Sequence, residues 1–196
     1  MRIEQGFTLM TPEEFRLWLG EQDVWRTVYR LLIHHTWSPN YGNFNGSNHA
    51  ALQKGMQRFH TVDRGWDDIG QHFSIFPDGL IVTGRSLEKD SACTRGANAG
   101  AICFENVGNF DLGGDEMTTA QARAILECSA WVCERFSIPV DSDHVLYHHW
   151  FDLNTGLRTD GKGTTKSCPG SNFFGGNSVE AAEAHFLPLI QHILES

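Results

Sequence analysis

The sequence contains no apolar run that approaches the roughly 18 residues of a membrane-spanning helix, so membrane insertion is not expected. It also has no excess of positive charge, because 15 lysines and arginines face 24 aspartates and glutamates, for a formal net charge of -9. Binding of nucleic acid through neutralisation of its phosphates is therefore not expected. Residues 1–10 contain no apolar core of signal-peptide length, so a conventional secretion signal is not predicted.

Cysteine is scarce, with five in 196 residues, and the number is odd. A chain that is not exported keeps its thiols reduced, so a disulfide framework is the weaker interpretation. A thiolate that binds a metal is the better interpretation for at least one cysteine, and Cys168 is the candidate. The other four are expected to be inert and without metal-like spacing: Cys93, Cys103, Cys128 and Cys133.

What is present is the composition of one globular domain, 40% hydrophobic and 20% charged. The chain is long enough to bury a full hydrophobic core without disulfide bonds or other cross-links, and we predict a single domain over residues 1–196. Runs of β-prone residues alternate with helical patterns, which favours the α/β class with a central mixed β-sheet and helices on its faces. Strands are expected near 28–33, 72–76, 80–83, 101–107 and 145–148, and helices after Thr11, Asn48 and Thr118 and over 179–194. Thr118 with Gln121 is predicted to form a capping box, and Pro188 to kink the last helix.

Two histidines close predicted strands. His34 follows the apolar run from Val28 to Ile33, and His148 follows Val145 to Tyr147. Together with Cys168 they offer two imidazoles and a thiolate, the ligand types of a catalytic zinc site that leaves its fourth position open. Spacing alone leaves open the alternative that each histidine is simply a hydrogen-bonded polar residue.

Several short motifs occur along the chain in a fixed order. They are His34-His35-Thr36, Gly65-Trp66-Asp67-Asp68-Ile69-Gly70-Gln71-His72-Phe73, Pro77-Asp78-Gly79, Gly84-Arg85, Gly96-Ala97-Asn98 and Cys168-Pro169-Gly170. Over about residues 30–170 the chain thus resembles the type 2 N-acetylmuramoyl-L-alanine amidases, the zinc family that includes phage amidase lysozymes and peptidoglycan recognition proteins. The first and last helices would be additions to this shared part. The resemblance implies Zn²⁺ as cofactor and cleavage of the amide between N-acetylmuramic acid and L-alanine in peptidoglycan.

By position in these motifs, the resemblance implies that His34, His148 and Cys168 are the three zinc ligands. Lys166, two residues before the cysteine, stands where several amidases keep a lysine that stabilises the oxyanion. An ammonium suits that role because negative charge develops on the carbonyl oxygen in the transition state. The alternative for Lys166 is a solvated loop lysine.

Gln71 is a departure from the family pattern, since many amidases have tyrosine directly before this His-Phe pair. Glutamine cannot take a proton from water. Another branch, the cytosolic amidases that recycle muropeptides, uses a glutamate on the strand after the asparagine motif, and Glu105 stands at that place. A carboxylate within an apolar strand is costly unless it is paired or faces a site. We therefore predict Glu105 as general base, with a surface-facing or salt-bridged residue as the alternative.

Trp37, Arg85 and Asn98 are candidates for contact with substrate. Family position supports Asn98, whereas Trp37 could equally cap the core and Arg85 could pair with an acid. The expected partner is peptidoglycan, bound by a monomer that acts on the wall as a phage endolysin or released autolysin, or on muropeptides in the cytosol.

Two other functions remain open. A peptidoglycan-binding protein without catalysis is the main alternative, although such proteins typically lack a metal ligand that this chain retains. A structural zinc is the other, and it would more often have four protein ligands.

Overall fold

The computed structural model describes residues 1–196, and its centre is one seven-stranded mixed sheet. The strands are β1 (Arg2–Glu4), β2 (Phe7–Met10), β3 (Arg30–His35), β4 (Phe73–Ile75), β5 (Ile81–Thr83), β6 (Ala101–Asn106) and β7 (Val145–Tyr147). Their order across the sheet is β1-β2-β5-β4-β6-β3-β7. The predicted α/β class with a mixed sheet is confirmed.

Four neighbouring strands, β4, β6, β3 and β7, run parallel, so their carboxyl ends lie along one edge of the sheet. The longest pairing joins β3 to β6 from Arg30 opposite Ala101 to His35 opposite Asn106, and it sets His34 opposite Glu105. Ligand sites of open α/β sheets typically lie beyond this edge. Two of the predicted site residues are therefore neighbours because of strand register alone.

The helices are α1 (Pro12–Gly20), α2 (His49–Arg58), α3 (Thr119–Phe136), α4 (Val179–Ala181) and α5 (Leu187–Glu195). Helix α3 contacts both α1 and α5, and Phe15 of α1 packs against Phe73 and Phe104 of the sheet. Successive side chains of a strand point to opposite faces, so Glu105 faces away from this layer. Helix α2 lies on that other side, where it lines a cavity together with Glu105. None of the helices is both long and apolar enough to span a bilayer.

The predicted helix start at Thr11 is confirmed as a complete capping box, in which Thr11 and Glu14 each bond the other's backbone N–H. The hairpin around 77–79 is also confirmed, by the antiparallel pairing of β4 and β5. The N-terminal hairpin formed by β1 and β2 was not predicted. Its first strand has only three residues, too few to show a strand period.

Two local predictions need correction. Thr118 caps α3 through the N–H of Gln121, but the reciprocal bond of a capping box is missing. The Thr118 N–H donates to the Tyr41 hydroxyl at 3.0 Å instead, and the Gln121 side-chain oxygen accepts from that hydroxyl. The distortion in the C-terminal helical segment precedes Pro188, as a π-helical turn over Ala182–Phe186. Pro188 lies in the first turn of α5, where its missing N–H has no partner to lose.

Candidate metal centre

The three predicted ligands meet at the carboxyl edge of the sheet. His34 is on β3, His148 directly follows β7, and Cys168 comes from a loop after it. All three are buried, and their ligand atoms lie within 4.8 Å of one another. The Nδ1 atom of His34 is 3.4 Å from the sulfur of Cys168, and the two imidazole centroids are 4.7 Å apart.

Thr94 fixes the orientation of the His34 ring. Its hydroxyl oxygen lies 2.9 Å from Nε2 of His34, and it is fully buried. When Nε2–H donates to Thr94, the lone pair is on Nδ1, the nitrogen that faces Cys168. The amide of Asn106 holds the same strand end by donating to the His34 carbonyl at 2.8 Å. Sequence analysis missed Thr94, because no spacing rule marks a threonine 60 residues away as a partner of His34.

The loop that carries Cys168 is held from both sides by one carboxylate. Asp111 accepts from the hydroxyl of Ser167 at 2.9 Å and from the backbone N–H of Ser171 at 2.9 Å. Gly170 lets this loop approach the chain after β6, because its φ is +125° and an added Cβ would lie 2.4 Å from the Phe110 carbonyl oxygen. The glycine of the Cys-Pro-Gly motif therefore has a steric reason.

The histidine that directly follows each predicted ligand histidine, His35 or His149, bonds elsewhere. Nδ1 of His35 accepts from the backbone N–H of Phe110 at 3.1 Å. Nδ1 of His149 lies 2.6 Å from the carbonyl oxygen of Lys166 and donates to it. Both rings therefore hold the loops around the site.

The donor set fits a zinc ion. Burial, with the nearby charges of the histidine pair and Lys166, lowers the pKa of His34 well below its usual value, and burial lowers the pKa of His148 to about 3. Both imidazoles are therefore neutral, the form that binds metals. Burial raises the pKa of Cys168, so its proton would leave only when a cation takes its place. Ligand atoms of a tetrahedral zinc site lie about 3.5 Å apart, close to the separation of His34 and Cys168.

A cavity of about 960 Å³ opens over the three ligands, and Glu105, Lys166 and Trp37 line it. Burial raises the pKa of Glu105 to about 7, against the opposing effect of the Lys166 charge. Glu105 lines the cavity and is the residue of β6 that pairs with His34 of β3. Lys166 is exposed at the rim, and Trp37 is 60% exposed. The structure thus brings a carboxylate that titrates near neutral pH and a cation to the same opening.

Two predicted substrate residues lie outside this cavity. Arg85 is buried and donates to the Ile69 carbonyl and the Asp67 carboxylate, both at 2.8 Å. The side-chain oxygen of Asn98 accepts from the Ser91 hydroxyl and from the backbone N–H of Cys93 and of Thr94. Arg85 and Asn98 thus hold loops, and Asn98 acts on the segment that carries Thr94. Gln71 does line the cavity, and its side-chain N–H donates to the Ser74 hydroxyl at 3.0 Å.

The expectation that the cysteines stay reduced was wrong for two of them. Cys93 and Cys103 form a disulfide, and its two sulfurs lie within 4.8 Å of a ring nitrogen of His34. The pairing joins a loop to β6, which spacing in the sequence does not reveal. Cys128 and Cys133 are free and buried in α3.

The family profile described as N-acetylmuramoyl-L-alanine amidase matches residues 24–171 of the chain. This range includes both histidines and the cysteine. The chain belongs to the N-acetylmuramoyl-L-alanine amidase family. The predicted resemblance is therefore confirmed.

Individual relatives agree with this family assignment. An N-acetylmuramoyl-L-alanine amidase of Mus musculus is 39% identical over 80 residues, which cover 41% of this chain and 15% of that protein. The chain thus matches about one-seventh of the mouse, pig and human amidases, at 15%, 13% and 14% of their lengths. Peptidoglycan-recognition protein SC2 of Drosophila simulans is 29% identical over 176 residues, covering 86% of this chain and 84% of its own. The solved structure of Drosophila PGRP-LB shares the amidase-family fold at a TM-score of 0.61, with 21% identity, over 83% of this chain and 84% of that one.

Proposed function

We propose that this protein is a zinc-dependent hydrolase that cleaves the amide between N-acetylmuramic acid and L-alanine of peptidoglycan. The observation that carries the proposal is the convergence of His34, His148 and Cys168 beneath a cavity that also presents Glu105 and Lys166. Three protein ligands leave a fourth coordination position open, as catalytic zinc sites require. Family membership supports this choice of bond.

The roles of the residues follow from their chemistry. When bound by His34, His148 and Cys168, zinc would supply Lewis acidity, which polarises a carbonyl and acidifies water. Glu105 would accept a proton from the attacking water and return it to the leaving amine nitrogen, for which a pKa of about 7 is well matched. The ammonium of Lys166 would stabilise the negative charge that develops on the carbonyl oxygen.

The cavity suits a glycopeptide as ligand. Its rim carries aromatic side chains, including Trp37, Phe59 and Trp66, each at least 39% exposed. Aromatic faces and a polar floor together are typical of sites that orient an amphipathic ligand. We propose peptidoglycan or its soluble muropeptides as partner, bound by a monomer, with the cell wall or the pool of released fragments as the place of action.

The test is mass spectrometry of the products formed from a defined muropeptide, with and without a chelator. We expect release of a stem peptide with a free L-alanine amino terminus, and its loss after chelation and recovery with Zn²⁺. Glu105→Gln should lower kcat by at least about 100-fold, as is typical for loss of a general base. Glu134→Gln is the matched control, because Glu134 is an exposed residue of α3. Full turnover by Glu105→Gln would remove that carboxylate from the mechanism.

Peptidoglycan recognition without catalysis is the second candidate, favoured by the likeness to recognition protein SC2 over most of both chains. It predicts muropeptide binding without any new amino terminus in the products. Cys168→Ser separates the two, because it should abolish hydrolysis in an enzyme while leaving binding by the cavity walls. The intact set of three ligands is why we favour the enzyme.

A further inference from the structure

The disulfide between Cys93 and Cys103 lies beside His34. The two sulfurs, which are bonded to each other, and a ring nitrogen of His34 all lie within 4.8 Å of one another, a limit that the ligand atoms of His34, His148 and Cys168 also meet. Cys93 precedes Thr94, the residue that orients His34, and Cys103 lies on β6 two residues before Glu105. One histidine therefore belongs to two possible ligand sets.

The disulfide borders the cavity through Cys93. Cys93 lines the cavity and is partly exposed, whereas Cys103 is fully buried. Thiol–disulfide exchange requires access to only one of the two sulfurs. A small dithiol that enters the cavity would attack the Cys93 sulfur first.

We propose that reduction of Cys93–Cys103 creates a second metal site, formed by His34, Cys93 and Cys103, that takes a thiophilic divalent cation away from the first. In the redox step an external dithiol is oxidised to its disulfide, and two electrons and two protons convert the protein disulfide into two thiols. In the binding step the cation displaces both thiol protons to solvent, and the two thiolates and the His34 imidazole bind it. This proposal rests on the proposed function only in that the first site is the catalytic one.

The two sites exclude each other because His34 is common to both. A neutral imidazole has one lone pair and binds one ion. Two thiolates and one imidazole suit Zn²⁺ at least as well as one thiolate and two imidazoles do, since thiolates are the softer ligands. Reduction also releases the tether between β6 and the segment that carries Thr94, which weakens the orientation of His34 towards Cys168.

An ion in the second site would lie away from the predicted base. In the register of β3 and β6, Cys103 is opposite Leu32 whereas Glu105 is opposite His34. Two residues along a strand correspond to roughly 6–7 Å. Because Cys103 is fully buried, an ion held there faces protein on its inner side. The second site would therefore store the cation and stop hydrolysis.

The experiment uses Co²⁺ as the probe and the full-length Cys168→Ser variant, which lacks the thiolate of the first site. The protein is reduced with a dithiol, freed of it by gel filtration without air, and titrated with Co²⁺. We expect thiolate-to-cobalt charge-transfer absorption after reduction and none before it. The triple variant Cys93→Ser/Cys103→Ser/Cys168→Ser is the matched control, and it should give none in either state. In wild-type protein the charge-transfer absorption per cobalt should be about twofold higher after reduction than before it, as two thiolates replace one.

Equal absorption of the Cys168→Ser variant before and after reduction would overturn the proposal, and so would thiolate absorption in the triple variant. Detection of all five thiols as free in unreduced protein would overturn it as well, because no disulfide would then exist to be reduced. Circular dichroism of each variant shows that it is folded. Because the readout is a spectrum of a variant without the first site, it does not depend on whether the protein proves to be an amidase.

Discussion

Thr94→Val offers a direct test of how the site is built. Valine keeps the shape of threonine but removes the hydroxyl that lies 2.9 Å from Nε2 of His34. Both side chains are buried, so Nε2–H would be left without a partner, which costs about 1–3 kcal/mol. Loss of such an outer hydrogen bond typically weakens metal binding 10- to 100-fold, which corresponds to about 1.4–2.7 kcal/mol. We expect a rise of that size in the Kd for Zn²⁺.

The assay is competition for Zn²⁺ with a chromogenic chelator at fixed pH. Thr94→Ser is the control, because serine keeps the hydroxyl and should bind Zn²⁺ within a few-fold of the wild type. A second readout is the free energy of unfolding by urea, which should fall in the valine variant even without metal. If Thr94→Val binds Zn²⁺ as tightly as the wild type, the orientation of His34 does not depend on Thr94 and our account of the tautomer is wrong.

Three further predictions follow from the structure. Burial lowers the pKa of His72 to about 4 from an ordinary 6.5, so the fold keeps its full stability while His72 is neutral above pH 6.5, and about 3 kcal/mol is lost as pH falls towards 4. In urea titrations of metal-free protein His34 and His148 add to the dependence of stability on pH, so the share of His72 is the difference from His72→Phe, whose slope should be shallower by about one proton. If Glu105 acts as base, the rate of hydrolysis should rise with pH through about 7, because burial raises the pKa of Glu105 to that value and only the carboxylate accepts a proton. A bound cation shifts the rising part of this pH profile to lower pH. A rate that is independent of pH from 4 to 8 would contradict the assignment. Gly170→Ala should destabilise the protein by about 1–3 kcal/mol in the same urea assay, since the added Cβ meets the Phe110 carbonyl oxygen. Gly113→Ala is the control, because Gly113 has a φ of +81° but open space around it. Its loss of stability should be smaller, since it comes only from the strained backbone conformation.

The parts of the fold that local patterns encode could be predicted from the sequence. His34 and His148 each directly follow a buried apolar run, Leu31 to Ile33 and Val145 to Tyr147, as expected of parallel strands buried on both faces. Glu105 stood out because it interrupts such a run. These residues also belong to, or follow, sequence motifs, so their chemistry and their approximate place could be inferred together.

The parts that could not be predicted depend on contacts between distant segments. Thr94 and Asp111 act through hydrogen bonds to residues 60 and 56 positions away, and neither has a sequence signature. Arg85 and Asn98 stood in family motifs and were interpreted as substrate contacts. In the fold they bind backbone groups of neighbouring loops instead. A motif residue can therefore serve the shape of a site rather than its ligand.

The residue-for-residue pairing of His34 with Glu105 has a consequence for how this pocket tolerates change. The backbone positions that carry the imidazole and the carboxylate are held about 4.8 Å apart, the spacing of adjacent strands. Substitutions in the helices can reshape the cavity walls and alter which ligand fits, while the backbone positions of His34 and Glu105 keep their spacing. Ligand preference can thus change through the helices, while the sheet preserves the positions of the reactive residues.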